Sequence, residues 1–242
     1  GRAVETDDGY ILTLRQRVFD HYETSFATLS AAVRNRQTLN QYFHDTFQQK
    51  TNTGKSAAYI LPDDPRNHLY DVVNMLKAHG VEVHRAGTNF TVNKAHTYET
   101  GKAGRQVFKK GDFIIYTDQP RHLFINTVLQ REMAIEDSIM YDMATWAAPL
   151  AYNLDAYWSE TKPRVKADLV KESLAYSSGV TQVRDAYAYV IDWDQRHAPK
   201  ALARLWAKGY KVRSARKEFN NGLRAYSRGT LVILMGRNTD KT

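Results

Sequence analysis

The sequence predicts an α/β protein, a parallel or mixed sheet flanked by helices and built from two similar strand–helix–strand units. Three observations carry this. Residues 57–61, Ala-Ala-Tyr-Ile-Leu, form a short apolar run that Pro62, Asp63, Asp64 and Pro65 end at once, as a buried strand requires. Leu69, Val72, Val73 and Leu76 then recur at helical spacing, and Gly80 closes the helix before Val81-Glu82-Val83-His84, a second short strand. The pattern comes twice: residues 187–191, Tyr-Ala-Tyr-Val-Ile, precede Ala201, Leu202, Leu205 and Trp206 behind Pro199, and Gly209 precedes Tyr210-Lys211-Val212. A strand, helix and strand in so few residues imply a right-handed parallel crossover.

The two units align residue by residue. Leu76-Lys77-Ala78-His79-Gly80 lies over Leu205-Trp206-Ala207-Lys208-Gly209, Phe90 over Phe219, and residues 108–115 over 226–233. Two copies are too few for a solenoid, so they read as halves of one sheet.

In chain order, residues 1–14 read as a strand pair around the turn Asp7-Asp8-Gly9. Residues 24–49 turn helical, with Phe26, Leu29, Val33, Leu39, Tyr42, Phe43 and Phe47 near one side and Thr24 or Ser25 as N-cap. Residues 48–56 are polar and serve as the linker. The domain division is therefore 1–50, an N-terminal strand–helix segment, and 51–242, the α/β region, with units at about 55–130 and 185–236. Asp64 and Pro65 suit the N-cap and first position of the first unit's helix. After that unit come a strand at 88–97, a hairpin-like pair around Val107 and residues 113–116, and a helix presenting Leu123, Phe124, Thr127 and Val128. Residues 136–158 are aromatic-rich, with Trp146 and Trp158 as core anchors, and residues 162–182 read as a polar connector. Asn220-Asn221-Gly222 signals a hairpin before the last strand, 230–235. The abrupt start at Gly1 and the uncovered last strand read as cuts from a longer polypeptide.

Composition narrows the chemistry. Hydrophobic residues make up 43% of 242, enough for a core. No apolar run approaches the roughly 20 residues of a membrane span, and residues 1–20 lack a signal peptide's apolar region, so no membrane partner is expected. The absence of cysteine excludes disulfides, thiolate metal sites and cysteine nucleophiles. From Arg196 onward twelve Lys or Arg face only Glu218 and Asp240; that segment carries +10 of a net +8, leaving −2 on residues 1–195. Such a basic segment suits anions, nucleic acid or an acidic neighbour, or is simply a solvated face.

Motifs for catalysis are thin. His68-Leu69-Tyr70-Asp71 has the i, i+3 spacing at which two side chains can touch one ion, and His79, His84 and His96 are dispersed candidates; an exposed polar face explains them equally well. Gly101-Lys102-Ala103-Gly104 is too short for a phosphate loop, and Thr53-Gly54-Lys55-Ser56 lacks the earlier glycine and leads into a strand instead of a helix. Asp63, Asp64, Asp192 and Asp194 follow the two first strands, where open α/β sheets place ligands, and serve equally as loop and cap residues. Nucleic acid is the second reading, with Tyr187, Tyr189, Trp193, Trp206, Tyr210 and Tyr226 interleaved among the charges, though mostly at core periodicity. A third is an enzyme binding a small anion near Asp63 and Asp192.

Several stretches resemble a known family. Arg2-Ala3-Val4-Glu5-Thr6-Asp7-Asp8-Gly9 and Thr24-Ser25-Phe26-Ala27-Thr28-Leu29 resemble the end of the catalytic domain in bacterial carboxypeptidase A-like zinc carboxypeptidases. Tyr141-Asp142-Met143-Ala144-Thr145-Trp146 and Pro149-Leu150-Ala151-Tyr152 are similar to the extension behind that peptidase, whose α/β part is related to the glutamine amidotransferase fold, itself flavodoxin-like. The resemblance implies a secreted or periplasmic parent enzyme in which a zinc-bound water, assisted by a glutamate, cleaves the last peptide bond of a peptide substrate. It implies too that the zinc ligands and that glutamate precede Gly1, and the missing cysteine removes the amidotransferase nucleophile. No residue here receives a catalytic, cofactor-binding or metal role. The expectation is an accessory domain whose partner is its own N-terminal peptidase domain.

Overall fold

The computed structural model describes residues 2–48, 54–64, 66, 68–132, 147–176, 179, 183 and 185–239. The chain divides into two compact units, 1–50 and 51–242.

In the first unit, β1 (Ala3–Glu5) and β2 (Ile11–Thr13) pair antiparallel around Gly9 at φ 75°, followed by α1 (Leu14–Arg34) and α2 (Arg36–Gln48). The helix starts ten residues before the expected one: the Thr13 side chain, not Thr24 or Ser25, caps it by accepting the Gln16 N–H at 3.1 Å. Thr24 and Ser25 instead turn their hydroxyls back to the Asp20 and His21 carbonyls inside α1.

The second unit opens with β3 (Ala58–Leu61), α3 (Leu69–Ala78), β4 (His84–Ala86), β5 (Phe90–Thr97), β6 (Ala103–Phe108), β7 (Phe113–Tyr116) and α4 (His122–Leu129). It continues through α5 (Ala148–Ala151), β8 (Tyr157–Ser159) and β9 (Ala167–Leu169). The second copy then supplies β10 (Ala188–Ile191), α6 (Ala198–Ala207), β11 (Arg213–Ser214), β12 (Phe219–Asn220), β13 (Ala225–Tyr226) and β14 (Leu231–Leu234).

The predicted parallel or mixed sheet is wrong. Among the described residues seven strands form one sheet, ordered β6-β5-β8-β3-β7-β4-β9, and every pairing in it is antiparallel. β3 and β4 do run the same way across α3, but β7 lies between them and opposes both. The expected parallel crossover is not formed, and the strands after the two helices lie at 84–86 and 213–214 instead of the expected 81–84 and 210–212. Composition explains the choice of centre. β3 and β7 are apolar at every position and bury both faces: Tyr59, Leu61, Phe113 and Ile115 enter the core under α3, while Ala58, Ile60 and Ile114 join Phe90, Val92 and Phe108 on the other side. β4, with His84 and Arg85, suits a more lateral place. A flavodoxin-like or amidotransferase-like sheet is thereby excluded.

The second copy repeats this split arrangement. β14 lies antiparallel between β10 and β11, in the order β10-β14-β11. Registers correspond: Ala58 opposes Tyr116 as Ala188 opposes Leu234, and His84 opposes Ile114 as Arg213 opposes Val232. Gly80 and Gly209 end α3 and α6 at φ 75° and 77°, a conformation that costs other side chains about 1–2 kcal/mol. The hairpins also match, each holding a stacked aromatic pair, Phe90 on Phe108 at 5.1 Å and Phe219 on Tyr226 at 4.9 Å.

Local differences have local causes. α3 begins at Leu69 with His68 before it, because the Asp64 carboxylate is taken by the Arg66 N–H and side chain; Pro65 lies outside the described residues. β6 pairs with β5 instead of β7. α4 buries His122, Ile125 and Leu129, leaving Leu123 exposed. The expected polar connector contains β9, which edges the sheet against β4. Trp158 sits in β8 with His96 flat against it at 3.7 Å, and Trp146 lies outside the described residues.

Candidate functional site: an acidic cleft between the two copies

The loops leaving β3 and β10 meet. Together they enclose a cleft of about 370 Å³ lined by Pro62, Asp63, Asp64, Arg66, Asp155, Asp192, Asp194, Gln195 and Arg224. All four aspartates singled out at the strand ends are therefore brought to one place.

Most of this charge is internally engaged. The buried Asp64 carboxylate accepts from Arg66 Nε at 2.9 and 3.0 Å and from the Arg66 backbone N–H at 2.8 Å. The hydrogen bond to Asp64 is the main reason the Arg66 guanidinium holds its proton more tightly than usual. Asp192 pairs with Arg224, and the Thr230 hydroxyl lies 3.4 Å from its carboxylate. Asp63 accepts from Arg85 at 3.1 Å, and its own N–H donates to Asp112 at 3.0 Å. Asp155 is open to solvent, 4.0 Å from Arg66 with its side chain 81% exposed.

The copies are laced together beside the cleft. Arg196 N–H donates to the Arg66 carbonyl at 2.9 Å, and His68 Nε2 lies 2.8 Å from the Asp194 carbonyl oxygen. Arg196 Nε also donates to Asp71 at 2.5 Å, and the Tyr176 hydroxyl donates to the same carboxylate. Burial pushes the Asp71 carboxyl up, but Tyr176 and Arg196 outweigh it and hold it below the usual carboxylate range. Burial and the carboxylate it faces push the Tyr176 hydroxyl up.

These contacts test a zinc ion against the residues present. His68 and Asp71 share the predicted spacing yet are drawn to different partners, Asp194 and the Tyr176–Arg196 pair. His79 packs on Phe124, His84 on Tyr116 and His96 on Trp158, so the three histidines do not converge. Among the described residues no group of three His, Asp or Glu is arranged to hold a metal ion. The residues described here do not fit a catalytic zinc.

Phosphate loops are equally unsupported: Gly101 forms the β5–β6 turn at φ 73°, Gly104 lies within β6, and Ser56 leads into β3; Thr53 lies outside the described residues. The aromatic set proposed for nucleic acid splits, with Tyr187, Trp193 and Trp206 exposed and Tyr226 buried against Phe219. Sequence reasoning missed Arg66, Asp155 and Arg224. No spacing joins Arg224 to an aspartate 32 residues earlier; only the alignment of the two copies, which puts a hairpin there, could have pointed to it.

Compared with known proteins, the chain matches no family model, no curated protein and no solved structure.

Proposed function

We propose that this chain is a non-catalytic accessory region of a secreted or periplasmic zinc carboxypeptidase, with the zinc site and catalytic glutamate outside these residues. The resemblance of residues 2–9, 24–29 and 149–152 to that family motivates the reading. One structural observation carries the non-catalytic part. The polar groups a reaction would draw on are already spent on internal pairs: Asp64 on Arg66 within the first copy, Asp192 on Arg224 within the second, and Asp71 on Tyr176 and on Arg196 of the second copy. A carboxylate clamped by a guanidinium is a poor base and a poor metal ligand, since its charge is already compensated.

The test is zinc analysis and a peptidase assay on this polypeptide. Dialysis against zinc followed by desalting should leave far less than one ion per chain, and no carboxyl-terminal residue should be released from a blocked dipeptide. Stoichiometric zinc with turnover would overturn the proposal.

A further inference from the structure

We infer that the second copy carries a docking groove for an extended, acidic peptide with an aliphatic side chain, which pairs antiparallel with the outer edge of β11. The inference does not rest on the carboxypeptidase reading.

The first copy shows what occupies this place. Beside β4, β9 pairs antiparallel, with His84 opposite Leu169 and Ala86 opposite Ala167. The strap then continues along α3. Val170 N–H donates to the Val83 carbonyl at 2.9 Å, Asn74 clasps Leu174 through two hydrogen bonds of 2.8 Å, and Lys77 donates to the Glu172 carbonyl. Val170 and Leu174 pack against the core under α3.

The corresponding surface of the second copy is a hollow of about 300 Å³. It is lined by Trp193, Leu202, Trp206, Val212, Arg213 and Leu231, with Ser214 and Gly229. Leu202 stands where Val73 does, Trp206 where Lys77 does, and Val212 where Val83 does. Among the described residues β11 pairs with β14 only, so its other edge offers backbone groups to an added strand. Trp193 and Trp206 are 45% and 61% exposed, large apolar surfaces of the kind that anchor a partner's aliphatic side chain.

Charge selects the occupant. Residues from Arg196 onward carry +10, and Arg213 lines the hollow itself, so an acidic strand is favoured over a basic one. The two grooves also differ. Ala203 replaces Asn74, removing the amide clasp, and Trp206 replaces Lys77, adding an indole wall. The second groove therefore holds its strand through ladder hydrogen bonds and apolar contact.

The test uses the full chain and a synthetic peptide copying residues 165–176 with both lysines replaced by glutamate. Titration should give a saturable change in tryptophan fluorescence and slow hydrogen exchange at residues 212–214. Added salt should weaken binding. The unmodified peptide should bind several-fold less tightly, and Trp206→Ala should weaken binding about tenfold or more. Because Trp206 is mostly exposed, an unchanged denaturation midpoint will show that this variant folds. The inference fails if binding is not saturable, or if Trp206→Ala binds equally well. It fails too if a single-stranded oligonucleotide displaces the peptide, which would make the surface a nucleic-acid site, or if exchange at 212–214 slows with protein concentration alone, which would make a second copy the occupant.

Discussion

Gln119 and Asn238 make the same three hydrogen bonds at the same place in the two copies. Gln119 accepts the Glu82 N–H at 2.7 Å and donates to the Tyr116 and Glu82 carbonyls at 2.7 and 3.1 Å. Asn238 accepts the Lys211 N–H at 2.8 Å and donates to the Leu234 and Lys211 carbonyls at 2.8 and 3.3 Å. Each amide ties the segment after a helix to the end of the strand inserted between its neighbours.

Both side chains are buried, so truncation leaves backbone groups without partners. Gln119→Ala and Asn238→Ala should each lower stability by about 1–3 kcal/mol, read as a shift of the urea midpoint. Asn238→Asp should not rescue, because a carboxylate cannot donate to two carbonyls.

Equivalent positions in the two copies should respond unequally. Leu76 is fully buried beneath α3, whereas Leu205 is only partly buried on α6. Leu76→Ala should cost about 2–5 kcal/mol and Leu205→Ala clearly less, measured by denaturant unfolding of the two variants side by side.

The cleft offers a test of engaged charge. Arg66→Ala leaves the Asp64 carboxylate, 8% exposed, without its guanidinium and should destabilise by about 2 kcal/mol. Adding Asp64→Asn should recover part of that loss, since a neutral amide keeps the turn to the Arg66 N–H; a double-mutant cycle checks it.

Asp71 predicts an acid sensitivity of definite sign. Its carboxyl is held below the unfolded value of about 3.9, so the unfolded chain binds the proton more readily. The stability from Tyr176 and Arg196 is fully present above that value and is lost as pH falls through the lower, folded one. Asp71→Asn should reduce stability at neutral pH and flatten the acid limb of a midpoint-against-pH curve.

Much of the local structure was legible because it is locally determined. Gly80 and Gly209 marked helix ends, Asp7-Asp8-Gly9 and Asn220-Asn221-Gly222 marked turns, and the apolar runs of β3, β7 and β10 marked strands. Strand order was not legible. Whether Val81–Ala86 pairs with residues 58–61 or with 113–116 depends on which apolar run fills the middle of the sheet, a global competition that no window of sequence contains. The cleft was half visible for the same reason: aspartates after strands can be counted, but their arginine partners arrive from distant turns.

The inserted strands impose an order on the birth of this molecule. Ala58, at the heart of the sheet, has its neighbours in Tyr116 and Ser159, both made long after it leaves the ribosome. Until they emerge, β3 lacks both of the strands that flank it in the finished sheet. Such dependence on distant contacts slows folding.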